Sequence, residues 1–69
     1  MEIIQLRDDF IKLGQILKLT GMVESGVDAK YVIQEGKVFV NGTVEYQRGK
    51  KLYSGDVVSC GGKEFKVEK

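Results

Sequence analysis

An α+β fold, with a two-helix pair packed on a small, mainly antiparallel sheet, is predicted by three observations in this 69-residue sequence. Apolar residues recur at helical spacing in two segments of the first half, around Leu13–Leu17 and Ala29–Ile33. Short β-branched runs in the second half are joined by Asn41-Gly42 and Gly61-Gly62, dipeptides that supply the positive φ angles of tight hairpins. The helical segments precede these strands instead of alternating with them, which favours segregated helices and sheet over a parallel βαβ arrangement.

Each element has its own local reason. Glu2-Ile3-Ile4-Gln5-Leu6 is short and β-branched, and ends at the polar Arg7-Asp8-Asp9, so it reads as a brief strand before a helix start. Phe10, Leu13, Ile16 and Leu17 predict a first helix over residues 10–19, with Asp8 or Asp9 as the cap and Gly21 in the left-handed position after its end. Ser25-Gly26-Val27-Asp28 has the form of a capping box, so a second helix is expected from about Gly26, with Ala29, Val32 and Ile33 on its apolar face and Gly36 as its stop. Val38-Phe39-Val40 and Thr43-Val44-Glu45-Tyr46 flank Asn41-Gly42 as a type I′ hairpin, with Val38 and Val40 on one face. After a basic loop, Ser54-Gly55-Asp56 turns the chain into Val57–Cys60, and Gly61-Gly62 reverses it into Lys63–Val67.

Composition narrows the function classes. A chain of this length forms one small domain, residues 1–69, with little room for an enclosed catalytic cleft beside its core. There is no histidine and Cys60 is the only cysteine, so an internal disulfide, a Cys/His zinc cluster and a His-dependent triad are all excluded. Cys60 is expected to be a small buried strand residue. Residues 1–10 include three acids and no long apolar run, unlike a signal peptide or a membrane span, which points to a cytoplasmic protein. Ser25 and Asp28 are explained by capping, and Gly61-Gly62 lacks the Lys-Ser/Thr that follows a phosphate-binding loop, so no catalytic residue is expected.

The net charge is only +1, so any electrostatic footprint must come from how the charges are arranged. Between Lys30 and Lys51, Lys30, Lys37, Arg48, Lys50 and Lys51 face only Glu35 and Glu45. That third of the chain therefore carries +3 against −2 for the remainder. Arg48-Gly49-Lys50-Lys51 is its sharpest part, because Gly49 permits close approach and Arg48 can fork onto a phosphate. Taken from composition alone, a solvated charged turn is the more common explanation of such a run. Lys12 and Lys18 lie on the polar side of the first helix and Lys30 on that of the second, where they can flank one groove. Tyr31, Tyr46 and Tyr53 are expected to be partly buried core residues and are assigned no site role.

The stretch from Ser25 to Gly42 closely resembles the centre of the ribosomal-protein S-four type RNA-binding domain, also called the alpha-L motif. The pattern Ser-Arg-Ser-x-Ala-basic-x-hydrophobic-Ile-x-x-Gly-x-Val-x-Val-Asn-Gly is met at Ser25, Ala29, Lys30, Ile33, Gly36, Val38, Val40, Asn41 and Gly42. Gly26 stands where many members have an arginine. Lys12-Leu13-Gly14-Gln15-Ile16-Leu17 matches the first-helix pattern basic-Leu-Asp-Lys-aromatic-Leu at the basic residue and both leucines, and Lys51-Leu52-x-x-Gly55-Asp56-x-Val58 resembles the family's closing run. The chain looks most like the free-standing bacterial YaaA/YbcJ-like members of that superfamily. The resemblance implies a non-enzymatic, monomeric protein that binds structured RNA, in particular ribosomal RNA or its precursor, with ribosomal proteins as further partners and no cofactor. It reverses the ordering that composition favours, and makes Lys12, Lys18, Lys30, Lys37, Arg48, Lys50 and Lys51 the candidate RNA contacts. Phosphate and 2′-hydroxyl contacts suffice for such a surface, because an RNA duplex hides its base edges in a deep, narrow groove. The alternative from another class is a protein-interaction module that docks an acidic partner in ribosome assembly.

Overall fold

A computed structural model describes residues 1–69 as β1 (Glu2–Gln5), β2 (Ile11–Lys12), α1 (Leu13–Leu19), α2 (Gly26–Gln34), β3 (Val38–Val40), β4 (Thr43–Val44), β5 (Lys51–Leu52), β6 (Val57–Cys60) and β7 (Lys63–Glu68). The hairpin dipeptides behave as their backbone freedom dictates. Asn41 and Gly42 have φ of 52° and 83° and fold β3 onto β4, with Val40 opposite Thr43. Gly61 and Gly62 have φ of 59° and 82° and fold β6 onto β7, with Cys60 opposite Lys63.

These hairpins join through antiparallel β3 and β6, giving the strand order β1-β7-β6-β3-β4. The sheet is mixed: β1 runs parallel to β7 at its edge, with Ile4 beside Val67. Val38, Val40, Val58, Cys60 and Val67 point inward and meet Leu13, Ile16 and Leu17 of α1 and Ala29 and Ile33 of α2 in one buried cluster. Leu13, Ile16, Leu17, Ala29 and Ile33 close the core as read from the sequence, Val32 packs against it half-buried, and Phe10 lies outside both the helix and the core; Val38 and Val40 share the core face.

Helix α2 begins as its sequence requires. The Ser25 hydroxyl accepts the Asp28 backbone N–H at 3.2 Å, and Gly36 takes φ +74° just past the C-terminal end. Only this half of the capping box forms; the Asp28 carboxylate makes no bond back to Ser25. A larger departure concerns the first helix, which begins at Leu13 and not at Phe10. Residues Ile11–Lys12 instead form an antiparallel bridge with Lys51–Leu52, inside what the sequence alone presents as a basic loop. The backbone N–H groups of Leu13 and Gly14 then donate to the carbonyls of Lys50 (2.9 Å) and Arg48 (3.0 Å). Carbonyls 37 and 34 residues away thus satisfy two of the orphan donors of the helix start, a service that local sequence assigns to Asp8 or Asp9. Asp9 pairs instead with the Lys69 ammonium at 2.6 Å. The hairpin strand also stops at Val44, two residues short of Tyr46.

Asn41 and Asp56 fasten the turns together. The Asn41 amide donates to Asp56 Oδ1 at 3.0 Å while its Oδ1 accepts the Val57 N–H at 2.9 Å, and Asp56 Oδ2 accepts the Tyr53 N–H at 2.8 Å. Cys60 is buried and free, as its strand position suggests. Burial pushes its thiol above the ordinary value of 9.0, and nearby Lys37 offsets only part of that rise. The folded chain therefore holds the thiol neutral, and stability from this group is fully present below the ordinary value and is lost as pH rises from there through the raised one. At pH 8, alkylation of Cys60 by iodoacetamide should run about tenfold or more slower in the folded protein than in urea. Equal rates would refute the burial.

Candidate nucleic-acid interface

Three cations converge because the β2–β5 bridge draws the Arg48–Lys51 segment onto the start of α1. Lys12 lies at the end of β2, Lys18 lies in α1, and Arg48 reaches across from the segment before β5. With Gly14, Gln15, Gly26 and Gly49 they line an open groove of about 440 Å³ that contains no carboxylate and no hydrophobic residue. None of the three cations has an acidic partner within ion-pair distance. An anion in this groove would meet positive charge without displacing an existing salt bridge.

Gly14 is the residue that sequence reasoning missed. A Cβ there would lie 2.6 Å from Arg48 Cγ and 3.2 Å from Cδ, so the aliphatic stem of Arg48 occupies the space a side chain would need. Packed in this way, Arg48 extends its guanidinium to the start of α2, where Nη1 donates to the Gly26 carbonyl at 3.5 Å. Gly26 carries no side chain of its own, and Arg48 places a guanidinium there from a different element. The signal was present in the sequence as a glycine inside an apolar helical pattern, a position that usually has a packing reason. Gly49, by contrast, has open space around its Cβ position and makes no close approach within the fold.

The other sequence candidates are distributed around this centre. Lys30 lines a second hollow with Ile33, Gln34, Tyr46 and Arg48, so Arg48 borders both this hollow and the groove of Lys12 and Lys18. Lys50 and Lys51 line a third, with Glu45 and Asp56, and the Lys51 ammonium sits 4.8 Å from the centre of the Phe10 ring. Lys37 is set apart: it pairs with Glu35 at 3.4 Å and borders a hollow with Cys60, Gly61 and Glu64. Tyr31, Tyr46 and Tyr53 are not core residues; all are at least half exposed. The core is filled by aliphatic side chains, Cys60 and Phe65; Tyr31 lies on the exposed side of α2, and Tyr46 and Tyr53 lie in the connections after β4 and β5. No helix is long and apolar enough to cross a membrane, and no group of three metal-ligating side chains occurs.

A helix pair with an adjoining hairpin, and an acid-free cationic groove at the helix pair, form an arrangement that suits an S4-type RNA-binding domain. The chain belongs to the S4 domain family, whose model matches residues 4–68. Among its relatives is a Bacillus subtilis (strain 168) protein named "Probable ribosome maturation protein RlbA", 44% identical over 59 residues that cover 86% of this chain and 83% of the relative. YbcJ of Escherichia coli (strain K12) is 42% identical over 57 residues, 83% of this chain and 81% of its own. The fold superimposes on the solution structure of E. coli YbcJ, reported as revealing an alfaL motif involved in RNA-binding, with a TM-score of 0.75 and 37% identity over all of this chain and 89% of that one. The expected family and α+β architecture are thus borne out.

Proposed function

We propose that the chain binds structured ribosomal RNA or a ribosomal precursor in the cytoplasm, as a monomer without a cofactor, by gripping the sugar-phosphate backbone in the Lys12–Lys18–Arg48 groove. The observation that carries this reading is the acid-free groove itself, with Arg48 preset by Gly14 and Gly26. The name of the B. subtilis relative supports the ribosomal partner. Lys30 extends the contact beyond Arg48 and Lys50 and Lys51 flank it, while ion-paired Lys37 lies outside it. Contacts of this type position the protein on an RNA surface without reading base sequence.

The test replaces Lys12, Lys18 and Arg48 together with glutamine, which keeps the Cγ and Cδ of residue 48 over Gly14 and removes the three charges together with the guanidinium bond to the Gly26 carbonyl. Binding to ribosomal RNA fragments should weaken similarly across sequences. The slope of log affinity against log salt should shrink by about two to three units, at roughly 0.7 to 0.9 per phosphate contact. Lys50→Gln with Lys51→Gln should shrink it less. An unchanged slope in the folded triple variant would move the interface elsewhere. Capture of partners that survives ribonuclease treatment would favour direct protein contact over RNA.

A further inference from the structure

The hollow that Arg48 shares with Lys30 differs in kind from the groove. It has a volume of about 310 Å³, and its lining combines two cations, Lys30 and Arg48, with an aromatic ring, Tyr46, and an amide, Gln34. Tyr46 is 62% exposed. Its hydroxyl lies 3.4 Å from where a Cβ on Gly36 would stand, so the ring tip rests against a glycine while much of the ring stays open to solvent. Tyr53 has the Phe10 ring as a neighbour at 6.0 Å, whereas Tyr46 has no aromatic partner. The side chains of Tyr46, Gln34 and Lys30 make no hydrogen bond or ion pair within the protein.

We propose that this hollow is a stacking site for one unpaired nucleobase of the bound RNA. The base lies on the Tyr46 ring with its edge toward the Gln34 amide, which has both a donor and an acceptor free, and the adjoining phosphates meet Lys30 and Arg48. Because Arg48 borders both this hollow and the groove, an RNA backbone held by Lys12, Lys18 and Arg48 passes directly beside Tyr46. A duplex offers no base face at its side, so the site selects RNA with a bulge or a junction nucleotide at that point. Stacking on an aromatic ring tolerates any base, so the selection is for an unpaired nucleotide more than for its identity. The inference rests on the RNA-binding reading of the groove.

Two RNAs test it against the full chain: an uninterrupted hairpin duplex, and the same duplex with a single bulged 2-aminopurine. The bulged RNA should bind roughly tenfold more tightly, and its fluorescence should fall on binding as the base stacks. Tyr46→Leu should abolish both the preference and the quench while leaving duplex affinity in place, and Tyr46→Phe should keep both. Thermal melts of each variant confirm folding. Equal affinity for the two RNAs, or a preference and quench that persist in Tyr46→Leu, would overturn the stacking site while leaving the groove intact. Loss of measurable binding to either RNA by the unsubstituted protein would overturn the groove reading, and this site with it.

Discussion

Replacing Gly36 with valine should lower the melting temperature by about 10 °C. Gly36 has φ +74°, where an L side chain brings its Cβ against the following carbonyl at a cost of about 1–2 kcal/mol, and a branched one is worse placed still. The new methyl groups would also press on Tyr46, whose hydroxyl already lies 3.4 Å from the Cβ position. About 2 kcal/mol in a domain of this size corresponds to roughly 8–16 °C. Gly36→Asn provides the control, since asparagine visits the left-handed region more readily and should cost about half as much or less. Thermal unfolding followed by circular dichroism reads both. An unchanged melting temperature for the valine variant would contradict the C-terminal geometry of α2.

Gly14→Ala should weaken RNA binding about tenfold while changing stability little. Its Cβ would stand 2.6 Å from Arg48 Cγ, a carbon too close to the backbone to swing clear without changing rotamer. Relief comes from rotating Arg48 or moving its loop, and either takes the guanidinium off the Gly26 carbonyl and out of the groove. The loss of one charge-assisted contact, about 1.5 kcal/mol at the low end of the usual range, gives the expected factor. Alanine at a helical position gains roughly 1 kcal/mol over glycine, which offsets strain at the contact and keeps the fold stable. A double-mutant cycle separates this cause from others: in an Arg48→Ala background, where no Cγ remains, Gly14→Ala should have no further effect on affinity. Additive losses would mean that Gly14 acts on RNA binding by another route.

Both predictions turn on glycines, yet only one was recognisable for its role in advance. Gly36 follows an apolar helical stretch and precedes a β-branched strand, so its left-handed geometry was already implied by its neighbours. The same holds for Ser25 as a cap, Asn41-Gly42 and Gly61-Gly62 as turns, and Val38 and Val40 as core. These features are set within a few residues, by φ preference, side-chain capping and the two-residue alternation of a strand.

The sequence by itself determined the helix pair, both hairpins, the aliphatic inward positions from Leu13 onward and the S4 domain family, because each is a local pattern or a run of matched residues, whereas the three tyrosines and Phe10 were misplaced. It also marked the Arg48-Gly49-Lys50-Lys51 run as the sharpest part of the basic region. Tertiary structure alone decided where α1 begins, since the donors of Leu13 and Gly14 are satisfied by Lys50 and Arg48 carbonyls that no local window contains. The same long-range pairing of Ile11–Lys12 with Lys51–Leu52 decided which charges meet. It set Lys12 and Lys18 in one groove with Arg48. Coulomb interactions act through space and fall off over several ångströms in solvent, so a count of charges along the chain locates the basic region, whereas only the fold fixes which cations act together.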